Sequence, residues 1–468
     1  MKHKFNKEIL KACDIRGIYI EELNEEDFYY IGKAFATILV QKNMSRCSVG
    51  RDGRVSSKSL EKALIQGLSE CNIEVIDLGF VSTPALYFSQ SLLNTDGCCM
   101  ISASHNPGIY NGCKFVLKNE VFAFEYIKLI EDIATNGNFL ESSKIGTISN
   151  YDIKQDYVEH LLSVINLECL KNANIVWDAS NGASLFMLET LIRRLPGNHT
   201  IICEKVDGNF PYHEPDPSKE KNMQMLKDAV IENSADLGIA FDGDGDRLGC
   251  VTSCGCYVTG DQLLLILAKD YLSDNPGAEV MSEVKASKVF YQQISEAGGI
   301  PVMWKVGHTF QKMKAISDDI GFAGETSGHI FYKENNWEDD GTYAALKLLN
   351  LLYNRTKTTL DYQVCKIPYV FTKGEVRLNM GSDDREGLVE NLKKRLDIDQ
   401  REYNSIDGVR VECPDGFWLI RGSNTQPQIT TYVEAFSDKT YDDTLSDMKE
   451  YLSSCGFDYD TLLQDSSK

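Results

Sequence analysis

At 468 residues the chain is too long for one core, and a prior of roughly 100–200 residues per domain gives three or four domains. Its 43% apolar and 25% charged residues describe a globular protein, no apolar run approaches a membrane span, and the opening MKHKFNKEIL has no long apolar signal region, so a cytoplasmic protein without a membrane partner is expected. The formal net charge of -21 argues against nucleic acid as a partner, and the 14 cysteines, spread thinly and partly inside apolar runs such as GCCMIS, read as free thiols in a reducing compartment.

Taken in chain order, a strand–helix block recurs three times. The first copy opens with CSVGRDGRVSS (47–57), continues through the helical SLEKALIQGL and the strand IEVIDLGF, and reaches GCCMISASHNP (97–107). The second runs from NIVWDASNGAS (174–184) through a helix ending near Leu195 and the strand TIICEKV to DLGIAFDGDGDR (236–247). The third runs from AEVMSEVKAS (278–287) through IPVMWKVGHT (300–309) to GFAGETSGH (321–329). Strands alternating with helices predict α/β domains with mainly parallel sheets covered on both faces, whose ligands gather at the carboxyl ends of the strands. From about residue 367 the pattern changes. YVFTKGEVRL, the helical EGLVENLKKRL, then GVRVEC, GFWLIRGS and TTYVEAF, and a final helix from Tyr441, predict a smaller C-terminal α+β domain. The expected divisions are 1–149, 150–253, 254–366 and 367–468.

The polar loops of these blocks carry the chemistry. ISASHNP puts Ser104 in a tight turn after a strand, with His105 beside it and Lys114 ten residues on, a setting suited to a nucleophile. No G-x-S-x-G elbow accompanies it. In FDGDGDR, Asp242, Asp244 and Asp246 alternate with glycines, so one loop can wrap a hard cation, and Arg247 follows directly. An EF-hand needs Gly and Glu where this loop has Arg247 and Ser253. GETSGH sets Glu325, Ser327 and His329 between glycines, a mixture of donors and acceptors suited to sugar hydroxyls, and KVGHT adds Lys305 and His308. RGSNTQP gathers Arg421, Ser423, Asn424 and Thr425 around a glycine as a phosphate cradle, and no Walker loop occurs in the chain.

These loops, in this order, resemble the α-D-phosphohexomutase superfamily, and its bacterial phosphomannomutase/phosphoglucomutase branch in particular. DIRG (14–17), GRDGR (50–54) and HEPDP (213–217) extend the resemblance over essentially the whole chain. The resemblance implies four domains around a central cleft and the reversible conversion of hexose 1-phosphate to hexose 6-phosphate, of mannose or glucose. It implies a phosphorylated Ser104, with Mg²⁺ held by Asp242, Asp244, Asp246 and that phosphoserine. Glu325, Ser327 and His329 match the sugar loop; Arg421, Ser423, Asn424 and Thr425 match the phosphate loop; Arg16, Lys114, Arg247, Lys305 and His308 match positions lining the cleft. Lys114, His308 and His329 are its candidates for proton transfer, with His105 beside the nucleophile. The cofactors implied are Mg²⁺ and a hexose 1,6-bisphosphate as activator, and the partners are phosphorylated hexoses. The basic residues Arg16, Arg51, Lys114, Arg247, Lys305 and Arg421 would then focus an otherwise acidic protein's field on an anionic sugar. The chain departs from the family pattern at Cys13, Thr326, Gly422 and Gln426. Competing readings are a phosphoglucosamine mutase, disfavoured by Ser423-Asn424-Thr425 where that branch reads SGT, a metal-dependent sugar phosphatase, and a non-catalytic sugar-phosphate sensor.

Overall fold

The computed structural model describes residues 2–380, 382–422 and 428–466. Two compact units make up the chain, one of Met1–Leu267 with Ser327–Val364 and one of Ala268–Thr326 with Cys365–Lys468. No described helix is long and apolar enough to cross a membrane.

The first unit holds two sheets. In one, Gly97–Ile101 lies at the centre, parallel to Arg46–Arg51, which is in turn parallel to Glu74–Phe80. Every residue of GCCMI is buried, as expected of a strand covered on both faces. Tyr110–Leu117 returns antiparallel beside it and pairs with Ile15–Ile18, bringing Arg16 opposite Gly112. One covering layer is formed by the helices Glu25–Gln41 and Ser57–Glu70. The first starts at a capping box in which the Asn24 side chain accepts from the backbone of Asp27 while the Asp27 side chain accepts from that of Asn24. The two helices nearly touch at Gly32 and Gly67, where an added Cβ would lie 2.4 Å from the Leu64 carbonyl oxygen and 2.1 Å from that of Tyr29. The core beneath gathers Phe28, Phe35, Leu64, Leu68, Val49 and Ile101.

In the second sheet the strands run Tyr257–Val258, Leu248–Thr252, Leu237–Phe241, Asn174–Asp178 and Asn198–Ile202 in spatial order, with the last three parallel. The DGDGD loop therefore leaves the carboxyl end of Leu237–Phe241, the position that favours ligands in such sheets. Cys254 and Cys256 lie exposed in the hairpin after Leu248–Thr252, while Cys98 and Cys99 are buried, and all 14 cysteines are free thiols.

The second unit combines the parallel strands Ile300–Trp304, Glu279–Glu283 and Phe322–Gly324 with an antiparallel sheet of Gln428–Ala435, Gly416–Gly422 and Val409–Cys413. The segment expected as one run, YVFTKGEVRL, is split into Phe371–Thr372 and Val376–Asn379 around Gly374, whose φ of 80° turns the chain. The last long helix starts at Asp438, earlier than the expected Tyr441, because Ser437 and Thr440 form a capping box. Arg410, 1% exposed, stacks 3.5 Å from the Phe417 ring and donates to the Val284 and Ala286 carbonyls at 2.7 Å. Strand Val409–Cys413 is thereby tied to the end of Glu279–Glu283 by a cation whose Nη1 meets two backbone carbonyls while Nε donates to Glu412.

Candidate active site

Ser104 follows the central strand Gly97–Ile101 with φ of 50°, a left-handed conformation that a serine holds only when its surroundings impose it. Arg54 imposes it. Its side chain is fully buried, Nε donates to Asp52 at 3.0 Å, Nη2 donates to the carbonyls of Ser104 and Asn106 at 2.8 and 2.7 Å, and Nη1 donates to those of Pro107 and Tyr110 at 2.6 and 3.0 Å. One guanidinium thus gathers every turn of the serine loop. Ser102 adds an acceptor for the Ser104 backbone N–H at 2.9 Å.

The Ser104 hydroxyl donates to Asp242 Oδ2 at 2.8 Å, and His105 Nδ1 lies 3.2 Å from Ser104 Oγ. Serine and Asp loops come this close because residue 243 is glycine: a Cβ there would stand 2.5 Å from the Ser104 carbonyl oxygen. Asp242, Asp244 and Asp246 are all fully buried, and ligand atoms from the three lie within 4.8 Å of one another. Asp242 Oδ1 accepts from the backbone N–H of Gly245 and of Arg247 at 3.0 and 3.2 Å. Asp244 Oδ2 accepts from the Thr83 hydroxyl at 2.6 Å and from Lys114 Nζ at 2.7 Å, and Lys114 also donates to Asp246 Oδ2.

Two buried oxygens, Oδ1 of Asp244 and Oδ1 of Asp246, have no hydrogen-bond partner. A buried carboxylate oxygen without a donor is costly unless a cation meets it. Three carboxylates against the Lys114 and Arg247 cations leave a net negative charge in a dry site. All-oxygen donors, converging geometry, orphaned atoms and surplus negative charge fit a hard divalent cation. The titration behaviour follows from the same crowding. Burial and the neighbouring Asp246 and Asp244 carboxylates push Asp242 well above the usual carboxylate range. Burial acts the same way on Asp244, but the Lys114 ammonium and the Thr83 hydroxyl outweigh it and hold that carboxyl low. Lys114, despite burial, is held well above its ordinary value by Asp244 and Asp246.

Arg247 is aimed by its neighbours: Nε donates to His329 Nε2 at 3.0 Å, and Nη1 lies 3.7 Å from Asp216. His329 Nδ1 is 2.8 Å from Asp339 and 3.6 Å from Asp246. Burial and the adjacent Arg247 charge push the His329 pKa below its ordinary value. Arg16 donates to the Asn106 side chain at 2.7 Å and pairs with Asp14, which fastens it to the serine loop. Arg51 instead pairs with Glu61 at 2.9 Å.

A second cluster lies within the other unit. Glu325, 4% exposed, accepts from the Gly307 N–H at 2.6 Å. Burial and the nearby Glu283 push its carboxyl well above the usual range. His308 opens the helix His308–Ser317, and Lys305 is exposed just before it. Asp407 joins this loop to the C-terminal sheet, accepting from the Val306 N–H and lying 3.0 Å from Arg421 Nη2. Arg421 is itself nearly buried, at the end of Gly416–Gly422.

The structure therefore brings Ser104, His105, Lys114, Arg16, Arg247, His329 and the three aspartates together, and separately Lys305, His308, Glu325 and Arg421. Ser327 is half-buried on the turn before Gly328, and Ser423, Asn424 and Thr425 lie outside the described residues. Within GETSGH, Glu325 accepts from the Gly307 loop and His329 accepts from Arg247. Sequence reading missed the supporting residues Arg54, Asp52, Thr83, Asp339 and Asp407. Only GRDGR, a charged loop at a strand end, signalled any of them.

Comparison with known proteins identifies the family. The chain matches "Phosphoglucomutase/phosphomannomutase, alpha/beta/alpha domain I" over residues 7–141, domain II over 155–255, domain III over 259–367 and the C-terminal domain over 378–450. It is 37% identical over 428 residues to a phosphomannomutase/phosphoglucomutase of Pseudomonas aeruginosa, covering 91% of each chain. It is 37% identical over 435 residues to a phosphoglucomutase of Neisseria gonorrhoeae, covering 92% of this chain and 93% of that one. The crystal structure of a phosphoglucomutase/phosphomannomutase family protein from Burkholderia thailandensis aligns with a TM-score of 0.90 at 33% identity, over 97% of this chain and 98% of the other. Four domain matches in one order, and relatives matched over nearly their full length, show that the chain belongs to the phosphoglucomutase/phosphomannomutase family.

Proposed function

We propose that the protein interconverts hexose 1-phosphates and hexose 6-phosphates, of glucose or mannose, by passing a phosphoryl group from and back to Ser104. The observation that carries this reading is the Ser104 hydroxyl, 2.8 Å from Asp242 in a loop backed by two further buried aspartates. Phosphoryl transfer asks little of a protein beyond a nucleophile, an in-line approach and positive charge around the equatorial oxygens. Asp242, Asp244 and Asp246 would hold Mg²⁺, which when bound neutralises charge on the phosphoryl oxygens.

Phospho-Ser104 gives its phosphoryl group to the free hydroxyl of the bound sugar phosphate. The Ser104 O–P bond breaks, a sugar O–P bond forms, and the sugar hydroxyl's proton ends on the freed Ser104 oxygen. The resulting hexose 1,6-bisphosphate turns end for end, and Ser104 accepts the other phosphoryl group as the product's hydroxyl regains a proton. Arg247, steadied by His329, supplies a fixed guanidinium beside the serine. Arg421, with Ser423, Asn424 and Thr425, holds the phosphate that is not in transfer. Glu325 and Ser327 bind sugar hydroxyls, and Lys305 and His308 add positive and hydrogen-bonding groups to that end. A trace of hexose 1,6-bisphosphate would act as activator by phosphorylating Ser104. The work is divided over 1–149, 150–253, 254–366 and 367–468.

The test is a coupled assay of 6-phosphate formation with Mg²⁺ and a trace of glucose 1,6-bisphosphate, on glucose 1-phosphate and mannose 1-phosphate separately. Turnover of either sugar, abolished or greatly reduced in Ser104→Ala, is expected. Turnover of glucosamine 1-phosphate alone, or release of inorganic phosphate in place of the isomer, would overturn the assignment.

A further inference from the structure

The HEPDP segment meets the site above through Asp216, beside Arg247, and Pro215, beside Gly243, yet its histidine belongs to a separate cluster. Asp178 ends the strand Asn174–Asp178, Cys203 directly follows Asn198–Ile202, and His213 reaches both from the loop beyond. His213 Nε2 lies 3.0 Å from Asp178 Oδ2 and 3.6 Å from Cys203 Sγ, and all three ligand atoms fall within 4.8 Å of one another.

The hydrogen-bond accounting at His213 is specific. Its Nδ1 lies 2.8 Å from the Glu214 carbonyl oxygen, which can only accept, so Nδ1 carries the proton. Against the effect of burial, Asp178 raises the His213 pKa, so in the metal-free protein Nε2 donates to that carboxylate, and an entering cation would take the place of this proton beside the sulfur. Three electron-pair donors of three kinds converge on one point. An imidazole whose outer N–H is fixed on a backbone carbonyl while its other nitrogen points at further ligands has the orientation of a metal-bound histidine. Bonds of about 2.3 Å to sulfur and about 2.0–2.2 Å to nitrogen and oxygen at a tetrahedral centre put the ligands about 3.4–3.6 Å apart. The 3.6 Å His213–Cys203 spacing fits as it stands, and the 3.0 Å His213–Asp178 pair has to open by about 0.4 Å to admit the ion. Asp178 is fully buried and Cys203 6% exposed, but the His213 side chain keeps 11% of its surface, which leaves a way in from solvent. Cys203 also holds φ of 51°, and that backbone turn puts its thiol in the cluster.

We propose that Asp178, Cys203 and His213 form a binding site for a thiophilic divalent cation of the Zn²⁺ class, separate from the all-oxygen Asp242–Asp244–Asp246 site. Binding releases the Cys203 thiol proton and the proton that His213 Nε2 shares with Asp178, and a water completes the four-coordinate shell. Sulfur and imidazole donors select Zn²⁺ over Mg²⁺, so the two sites do not compete for one ion. The cation would pin together two strand ends and the 203–213 connection. The loop that follows Asp178 then carries the effect to the Asp loop, because Ala183 N donates to the Gly243 carbonyl at 2.8 Å and the Ser180 hydroxyl to the Phe241 carbonyl at 2.7 Å.

The full chain, stripped of metal by chelator, would be titrated with Co²⁺ in excess Mg²⁺ and followed by absorption. One Co²⁺ per chain, with a sulfur-to-cobalt charge-transfer band in the near ultraviolet that equimolar Zn²⁺ abolishes, is expected. Cys203→Ser should lose the band, and His213→Gln should weaken binding by more than the about 10–100-fold that loss of an outer partner costs. A variant carrying Cys254→Ser and Cys256→Ser should keep it. The absence of a charge-transfer band, its survival in Cys203→Ser, or its loss in the Cys254/Cys256 variant would each overturn the site. Should Cys203→Ser fail to fold, X-ray absorption on the Zn²⁺-loaded parent decides. One sulfur among nitrogen and oxygen neighbours supports the site, and a shell of oxygens alone rejects it.

Discussion

Replacing Arg54 separates the architecture of the serine loop from its chemistry, because Arg54 touches four carbonyls of that loop and lies outside the reacting groups. Arg54→Ala leaves the buried Asp52 carboxylate without its guanidinium and strips four inward-facing carbonyls of their donor. Each unsatisfied group costs about 1–3 kcal/mol when dry, and breaking a buried pair costs about 3–5 kcal/mol. These overlap, so about 3–5 kcal/mol is the working figure. For a folding unit of the size of the domains here it corresponds to a fall in Tm of roughly 6–20 °C. Arg54→Lys is the sharper variant. It keeps a cation beside Asp52 but cannot fork to four carbonyls at once, so Tm should fall less while Ser104 loses its register. A nucleophile displaced by about 1 Å costs about 100-fold in rate, so kcat should drop far more than stability. Differential scanning calorimetry paired with the coupled mutase assay reads both. An Arg54→Lys protein that melts and turns over like its parent would refute the argument that this one side chain sets the loop.

Three further outcomes are expected. Burial and the Asp77 carboxylate push Glu61 up to about 7 against the opposing pull of Arg51. Because the folded pKa is raised, the stability tied to the protonated form is complete below about pH 4.5 and is lost as pH rises through about 7, a span worth about 3 kcal/mol. Glu61→Gln should flatten that part of the Tm–pH curve, and an unchanged slope would contradict it. Gly67→Ala should destabilise by about 1–3 kcal/mol or more in denaturant titration, since the new Cβ meets the Tyr29 carbonyl oxygen at 2.1 Å, whereas substitution of the unhindered Gly387 should not. Asp244→Asn keeps a partner for Lys114 in Asp246 but removes a charged cation ligand, and should raise the Mg²⁺ concentration for half activation by more than about 100-fold. An unshifted Mg²⁺ titration would remove Asp244 from the ligand set.

Much of this was legible in the sequence, for reasons that can be named. Buried parallel strands such as GCCMI and LGIAF are short apolar runs that end in polar loops, so strand, loop and chemistry appear together in the chain. The aspartates of FDGDGDR are adjacent in sequence, so their convergence needs no tertiary knowledge. The supporting residues are different. Arg54 lies 50 residues from Ser104, and Asp407 lies 101 residues from Val306, and nothing local to an arginine or an Asp-Gly turn says which carbonyls or N–H groups it will meet. In GETSGH the side chains have partners that contiguity does not foretell, Gly307 for Glu325 and Arg247 for His329. HEPDP was visible as a segment, but its pairing with Cys203 and Asp178 exists only once two strand ends are side by side.

The central claim is that Ser104 carries the phosphoryl group, and it is tested most directly by incubating the protein with Mg²⁺ and hexose 1,6-bisphosphate labelled in phosphate, then mapping the label by peptide mass analysis. One phosphate on the peptide containing Ser104 is expected, discharged on addition of hexose 1-phosphate or 6-phosphate with formation of the bisphosphate. Label on another residue, or full turnover by an enzyme that never becomes labelled, would contradict it.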